Sequence, residues 1–164
     1  MKSQSIGLYG TVKLFQVPRT GLYVELRTRD EHCPPHVHVE NEEVPWEARL
    51  AFSFIDNVVR LMDVDPIEDA PSTRTIDRIK AAIVSGLPKC RTKWWARVGT
   101  CCVDNRWTQV SRGGTVIVLV RREAGAVQVG RANYDAQADQ VTLIMKDGTS
   151  FAMKAGAGVE QWEP

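Results

Sequence analysis

Apolar and polar positions alternate over residues 6–15 and 20–28, most clearly where Leu22, Val24 and Leu26 interleave with Tyr23, Glu25 and Arg27. A period of two belongs to a strand with one buried and one solvated face. These stretches therefore predict the first two strands of an antiparallel sheet, joined through Val17-Pro18-Arg19-Thr20-Gly21. Residues 36–40 follow as a third strand, because Pro35 sets its own backbone angle and is tolerated only where a strand begins. Residues 46–54 and 57–64 then read as a hairpin around Ile55-Asp56-Asn57, with Leu50, Phe52 and Phe54 on one face.

After Asp65-Pro66 the period lengthens. Pro71-Ser72 opens a helix that carries Ile76, Ile79, Ile83 and Leu87 at helical spacing with Ala82 beside them, and Gly86 and Pro88 close it. A second short helix over 89–97 leaves Trp94 and Trp95 on different faces, one of them in the core. Residues 98–115, with Cys101-Cys102, Trp107 and Gly113-Gly114, read as an irregular connector and place a boundary there, dividing the chain into domains 1–100 and 101–164. Alternation returns at 116–120, 126–134 and 140–145, and Asp147-Gly148 turns tightly into 150–154. The expected fold class is α+β: an antiparallel β-meander packed with one or two helices, followed by a C-terminal β-hairpin subdomain.

Composition agrees with a globular chain. At 164 residues, with 43% hydrophobic and 25% charged positions, it is long enough to bury roughly two-thirds of its unfolded surface. A net charge of +1 selects no partner, but the charges are segregated. Residues 30–69 hold eleven acids against Arg49 and Arg60, and residues 89–122 hold eight bases against Asp104. Internal pairing of the two stretches is one explanation, although exposed ion pairs are individually weak. A basic surface for a polyanion or an acidic partner is the other. The first five residues lack the apolar run of a signal peptide, and no run approaches the roughly 20 residues of a membrane span. The expectation is a cytoplasmic protein with no membrane partner and mostly reduced cysteines. Adjacent Cys101 and Cys102 are poorly placed for an ordinary bridge.

All three histidines lie in Glu31-His32-Cys33-Pro34-Pro35-His36-Val37-His38-Val39-Glu40. His36 and His38 are two apart on a predicted strand, so both project from one face, about 6.7 Å apart at their α-carbons, and can share an ion. Glu40 continues that face and Cys33 precedes the proline corner, so the candidate metal ligands are His36, His38, Cys33 and Glu40. Zinc accepts cysteine and histidine, and an iron or manganese site would add a carboxylate. An extended Pro-Pro segment at about 3.1 Å per residue holds His32 roughly 12 Å from His36. A solvated stripe of alternate histidines is the plainer reading, and acid–base chemistry by the pair a third.

A second candidate is Lys89-Cys90-Arg91-Thr92-Lys93-Trp94-Trp95-Ala96-Arg97, where bases interleave with tryptophans. Lys89, Arg91, Lys93, Trp94 and Arg97 are candidate partner-binding residues, since bases neutralise phosphates and aromatic rings stack on nucleobases. A tryptophan plugging the core is the alternative.

His32-Cys33-Pro34-Pro35-His36-Val37-His38-Val39 resembles the His-x-Pro-Pro-His-x-His-Val signature of the small bacterial domain-of-unknown-function family 4160. The similarity covers about residues 15–97. It implies a compact α+β module of the kind encoded in toxin–antitoxin-like gene pairs or on mobile elements. No catalytic residues are assigned to that family, so His32, His36 and His38 carry over only as motif positions. The hairpin over 46–64 is longer and more acidic than the family's usual form. Residues 132–155, with Val141-Thr142-Leu143-Ile144-Met145-Lys146-Asp147-Gly148, resemble domain-of-unknown-function family 2442, a frequent genetic neighbour of the first, which implies a fusion of two partners. The functional expectation is a toxin–antitoxin or defence-type interaction protein that binds a protein or nucleic-acid partner. The alternative is a metal-dependent hydrolase or nuclease using His36 and His38.

Overall fold

A computed structural model describes residues 10–27 and 31–163. The predicted strand positions 6–9 and 28 lie outside the described residues. The protein is α+β, with two sheets and two α-helices among the described residues. It divides into two units, one comprising Met1–Phe52 and Val58–Val98, the other Ser53–Asn57 and Gly99–Pro164.

The first unit contains the expected meander. Strands β1 (Thr11–Gln16), β2 (Tyr23–Arg27), β3 (His36–Glu40), β4 (Glu47–Ala51) and β5 (Arg60–Asp65) form one antiparallel sheet in sequence order. Directly opposed residues share a face. Val24 pairs with Val39, Val39 with Ala48, and Val37 with Leu50, giving one apolar face whose members are fully buried. Burying each valine or leucine there is worth roughly 1.5–3 kcal/mol before entropy is counted. The other face carries a row of charged and polar groups, Lys13, Glu25, His38, Arg49 and Asp63, each opposite the next.

A short 3₁₀ turn at Ile67–Asp69 precedes α1 (Thr73–Ser85) and α2 (Leu87–Val98). Ser72 caps α1, its side chain accepting from the Thr75 amide at 3.2 Å, and the α1 stripe of Ile76, Ile79 and Ile83 is buried. The helices meet at Gly86 alone. Pro88, read from the sequence as a stop, instead sits in the first turn of α2, where a missing N–H costs no helical hydrogen bond. A β-carbon on Gly86 would lie 2.4 Å from Phe15 Cε1, so the Phe15 ring packs where a side chain would otherwise project. Leu87, Cys90, Arg91 and Trp94 form the buried stripe of α2. Cys90 is a free thiol, pushed up to about 12 by burial, and Cys33 is disulfide-bonded.

The second unit is a larger sheet than the expected hairpin subdomain. Strands β6 (Trp107–Val110), β7 (Val116–Leu119), β8 (Val127–Asp135), β9 (Gln140–Met145), β10 (Ser150–Lys154) and β11 (Val159–Glu160) are ordered β10-β9-β8-β6-β7-β11. The β7–β11 pair is parallel and the other pairings are antiparallel. Residues 107–110, assigned to a connector from sequence, are a strand whose Trp-Thr-Gln-Val order does not alternate. Ile55-Asp56-Asn57, expected to turn a hairpin, belong to this unit together with Ser53 and Phe54, expected at the end of its first strand. Phe54 meets Tyr134 edge-on at 5.0 Å, the Ile55 carbonyl accepts from Gly158 at 2.8 Å, and Asp56 accepts from the Glu160 amide at 3.1 Å. Cys101 is a buried free thiol, also pushed up to about 12, and Cys102 is disulfide-bonded, contrary to the reduced state expected from composition. Among the described residues no helix is long and apolar enough to cross a membrane.

Candidate metal centre

Alternation along β3 sends Val37 and Val39 to the apolar face and His36 and His38 to the polar one. Both histidines are nevertheless buried, at 2% and 4% exposure. The preceding segment bends at Cys33-Pro34 instead of running extended, and it brings Glu31 onto the two rings. Glu31 Oε2 lies 3.2 Å from His36 Nε2, and Glu31 Oε1 lies 3.3 Å from His38 Nε2. The two rings stand 5.2 Å apart between centroids.

The remaining ring nitrogens are committed elsewhere. His36 Nδ1 is 2.8 Å from the Pro34 carbonyl, which only accepts, so Nδ1 donates. His38 Nδ1 is 2.8 Å from Glu47 Oε1. Burial pushes Glu47 upward, but hydrogen bonds from Arg27 and His38 outweigh it and hold the carboxyl below its usual range, ionised and accepting. The His36 proton therefore sits on Nδ1, and its Nε2 turns a lone pair toward Glu31; in the neutral form of His38 the Glu47 carboxylate likewise selects the Nδ1 proton and leaves Nε2 toward Glu31. Burial also holds His36 below the ordinary imidazole value, outweighing the Pro34 carbonyl and the Glu31 charge. Neutral is thus its state at pH 7.

With both rings in these Nδ1–H forms, two lone pairs and a carboxylate converge on one point. Glu31 Oε2 is buried and accepts no hydrogen bond among the described residues. An orphaned buried acceptor is costly, and a cation at the centre removes that cost. The donor set fits one: the ligand atoms of Glu31, His36 and His38 lie within 4.8 Å of one another. Two donors about 2.0–2.1 Å from a tetrahedral zinc stand about 3.3 Å apart; Glu31 Oε2 has that separation from His36 Nε2, and Glu31 Oε1 has it from His38 Nε2. Imidazole nitrogens with a carboxylate oxygen suit zinc, iron or manganese. A carbonyl behind one ring and a carboxylate behind the other is the outer arrangement that orients metal-binding histidines.

Around this centre the face is ordered by charge. Arg27 pairs with Glu47, and Arg49 makes a forked contact with Asp63, its Nε lying 2.9 Å from Asp63 Oδ1. The Arg49 hydrogen bonds hold Asp63 below the usual carboxylate range. Trp94, fully buried, lies 5.4 Å from the His36 ring and 6.2 Å from Phe52.

The sequence-derived ligand set is thus partly redrawn. His36 and His38 are in the cluster, but Cys33 is outside it and its sulfur is held in a disulfide. Glu40, opposite Tyr23 at the far end of β3, is outside it as well. His32 comes within 6.0 Å of His36 between ring centroids, yet it is not among the converging donors. Glu31 escaped notice because the expected extended geometry carried it away from the strand. Glu47 had a legible signal: pairing β3 with β4 by alternation puts it on the histidine face. Of the candidate partner-binding residues, Lys89, Lys93 and Arg97 are exposed, whereas Arg91 and Trp94 are buried in the core and form no surface.

Compared with protein-family models, with curated proteins and with solved structures, the chain finds no match.

Proposed function

We propose that the protein is a metal-dependent hydrolase centred on Glu31, His36 and His38. The observation that carries this is the convergence of both Nε2 atoms on one buried carboxylate that has an unsatisfied oxygen. Three protein donors are the number typical of catalytic zinc sites, which keep a position for water or substrate, whereas structural sites close with four. An ion held there would supply Lewis acidity and lower the pKa of a bound water toward neutrality. The chain's own residues orient the donors: Pro34 and Glu47 fix the ring protons, and Arg27 keeps Glu47 ionised. Purified without a histidine tag and loaded with zinc or manganese, the protein should hydrolyse p-nitrophenyl acetate or bis(p-nitrophenyl) phosphate. A chelator, Glu31→Gln or His38→Ala should each abolish that turnover. Turnover that survives both substitutions contradicts the reading, as does fully loaded protein that leaves both substrates intact.

A second reading is a toxin–antitoxin or defence-type interaction protein. What favours it, beside the resemblance over 32–39, is that Lys89, Lys93 and Arg97 are each four apart on α2 and all exposed, forming one basic ridge. Expressed in a bacterial host with its gene neighbours, the protein should co-purify with an acidic protein or a nucleic acid that Lys89→Glu with Lys93→Glu releases. Absence of both a partner and a growth effect would count against it.

A further inference from the structure

We propose that a cleft in the first unit, between the β1–β2 turn and the C-terminal half of α1, binds a small amphipathic anion: an apolar body bearing one carboxylate or phosphate head. The cleft has a volume of about 600 Å³, within the roughly 300–1,000 Å³ of small-molecule sites. It shares no residue with the Glu31–His36–His38 centre and does not depend on the hydrolytic reading.

Its shape follows from the sequence. Arg78, Ala82 and Ser85 lie on one face of α1, and small side chains there leave depth between the helix and the β1 end. Phe15 and Val17 supply apolar wall, and Gly86 lets the Phe15 ring close against the helix terminus. The floor is thus hydrocarbon, and it rewards an apolar body.

The charge at the rim is entirely cationic. Arg19, Arg78 and Lys89 are the charged residues lining the cleft; no acid lines it, and all three are exposed. Among the described residues none of the three is in an ion pair, in contrast to Arg27 and Arg49 on the sheet. Arg19 is also held in place. It occupies the left-handed region at φ 63°, in a turn fixed by the Val17 amide on the Leu22 carbonyl at 2.9 Å and the Thr20 hydroxyl on the Val17 carbonyl at 2.8 Å. An anionic head at this rim meets two guanidinium groups and an ammonium without having to displace a resident carboxylate. Bare phosphate would leave the hydrocarbon floor unused, and a neutral apolar molecule would leave the cations unused. Only a ligand with both parts matches both surfaces.

Isothermal titration of the full chain with decanoate, decyl phosphate, decanol and inorganic phosphate tests this. One of the two decyl anions should bind saturably at one per chain, with decanol and inorganic phosphate each at least about tenfold weaker. The tighter decyl anion tells a carboxylate ligand from a phosphate one. Arg78→Gln combined with Lys89→Gln, both at exposed positions, should bring anion binding down to the decanol level, while Glu31→Gln leaves it unchanged. An unaltered thermal midpoint of the double variant confirms that its fold is intact. Decanol binding as tightly as the anions would overturn the proposal. So would anion binding indifferent to the double substitution, or no saturable binding of either anion.

Discussion

His38 owes its role to a carboxylate that is not itself a ligand. Glu47 takes the proton side of the ring at 2.8 Å and leaves Nε2 for the centre, and partners of this kind typically change metal affinity by about 10–100-fold. Glu47→Gln keeps an acceptor but removes the charge, so zinc affinity measured by competition with a chromophoric chelator should fall within that range. An unchanged affinity would mean that His38 is oriented by packing alone. His36 makes a pH prediction. Its folded value is lowered by burial, so below the unfolded imidazole value of about 6.5 the unfolded chain takes up a proton that the native protein resists. The contribution is therefore present above that pH and lost as pH falls toward the folded value. Glu47 and Asp63, also held low, extend the loss into the carboxylate range. Urea midpoints of metal-free protein should decline from pH 7.5 to 5.5, and His36→Gln should flatten that decline. A flat profile for the unsubstituted chain would contradict the assignment of a neutral buried His36.

At the scale of elements, the α1–α2 junction rests on one glycine and one cap. Gly86→Ala forces a β-carbon into the Phe15 ring. It should lower unfolding stability by about 1–3 kcal/mol, as overpacking does, although alanine is the better helix former. A gain in stability would show that the ring moves aside freely. Ser72→Ala should cost about 1 kcal/mol through the lost cap on the Thr75 amide; denaturant titration measures both. These elements show what patterning conveys. β2, β3 and α1 were readable because period two and period 3.6 each persisted for several residues beside Pro35, Ser72 or Gly86. β6 and β11, four and two residues long, carry no period to read. Phe54 looks like a continuation of β4 and Ile55 like the start of its turn, and nothing local reveals that they pack in the other unit.

For the molecule as a whole, the α+β class was legible and the charge segregation was only half understood. Several acids of the 30–69 run are engaged within the first unit: Glu47 with Arg27, Asp63 with Arg49, and Glu31 at both histidines. That run therefore does not wait as a block for the basic stretch. The centre itself was legible in two of its three donors. The third required knowing that 31–35 bends back, a path set by tertiary packing and not by the residue pattern.

The most direct test is elemental analysis of untagged protein, exposed to equimolar zinc and desalted, beside Glu31→Gln and His36→Ala. The geometry predicts about one ion per chain, falling below about a tenth in each variant with the fold retained by circular dichroism. Less than about a tenth of an ion in the unsubstituted protein, or equal loading in all three, would contradict a metal centre at Glu31, His36 and His38.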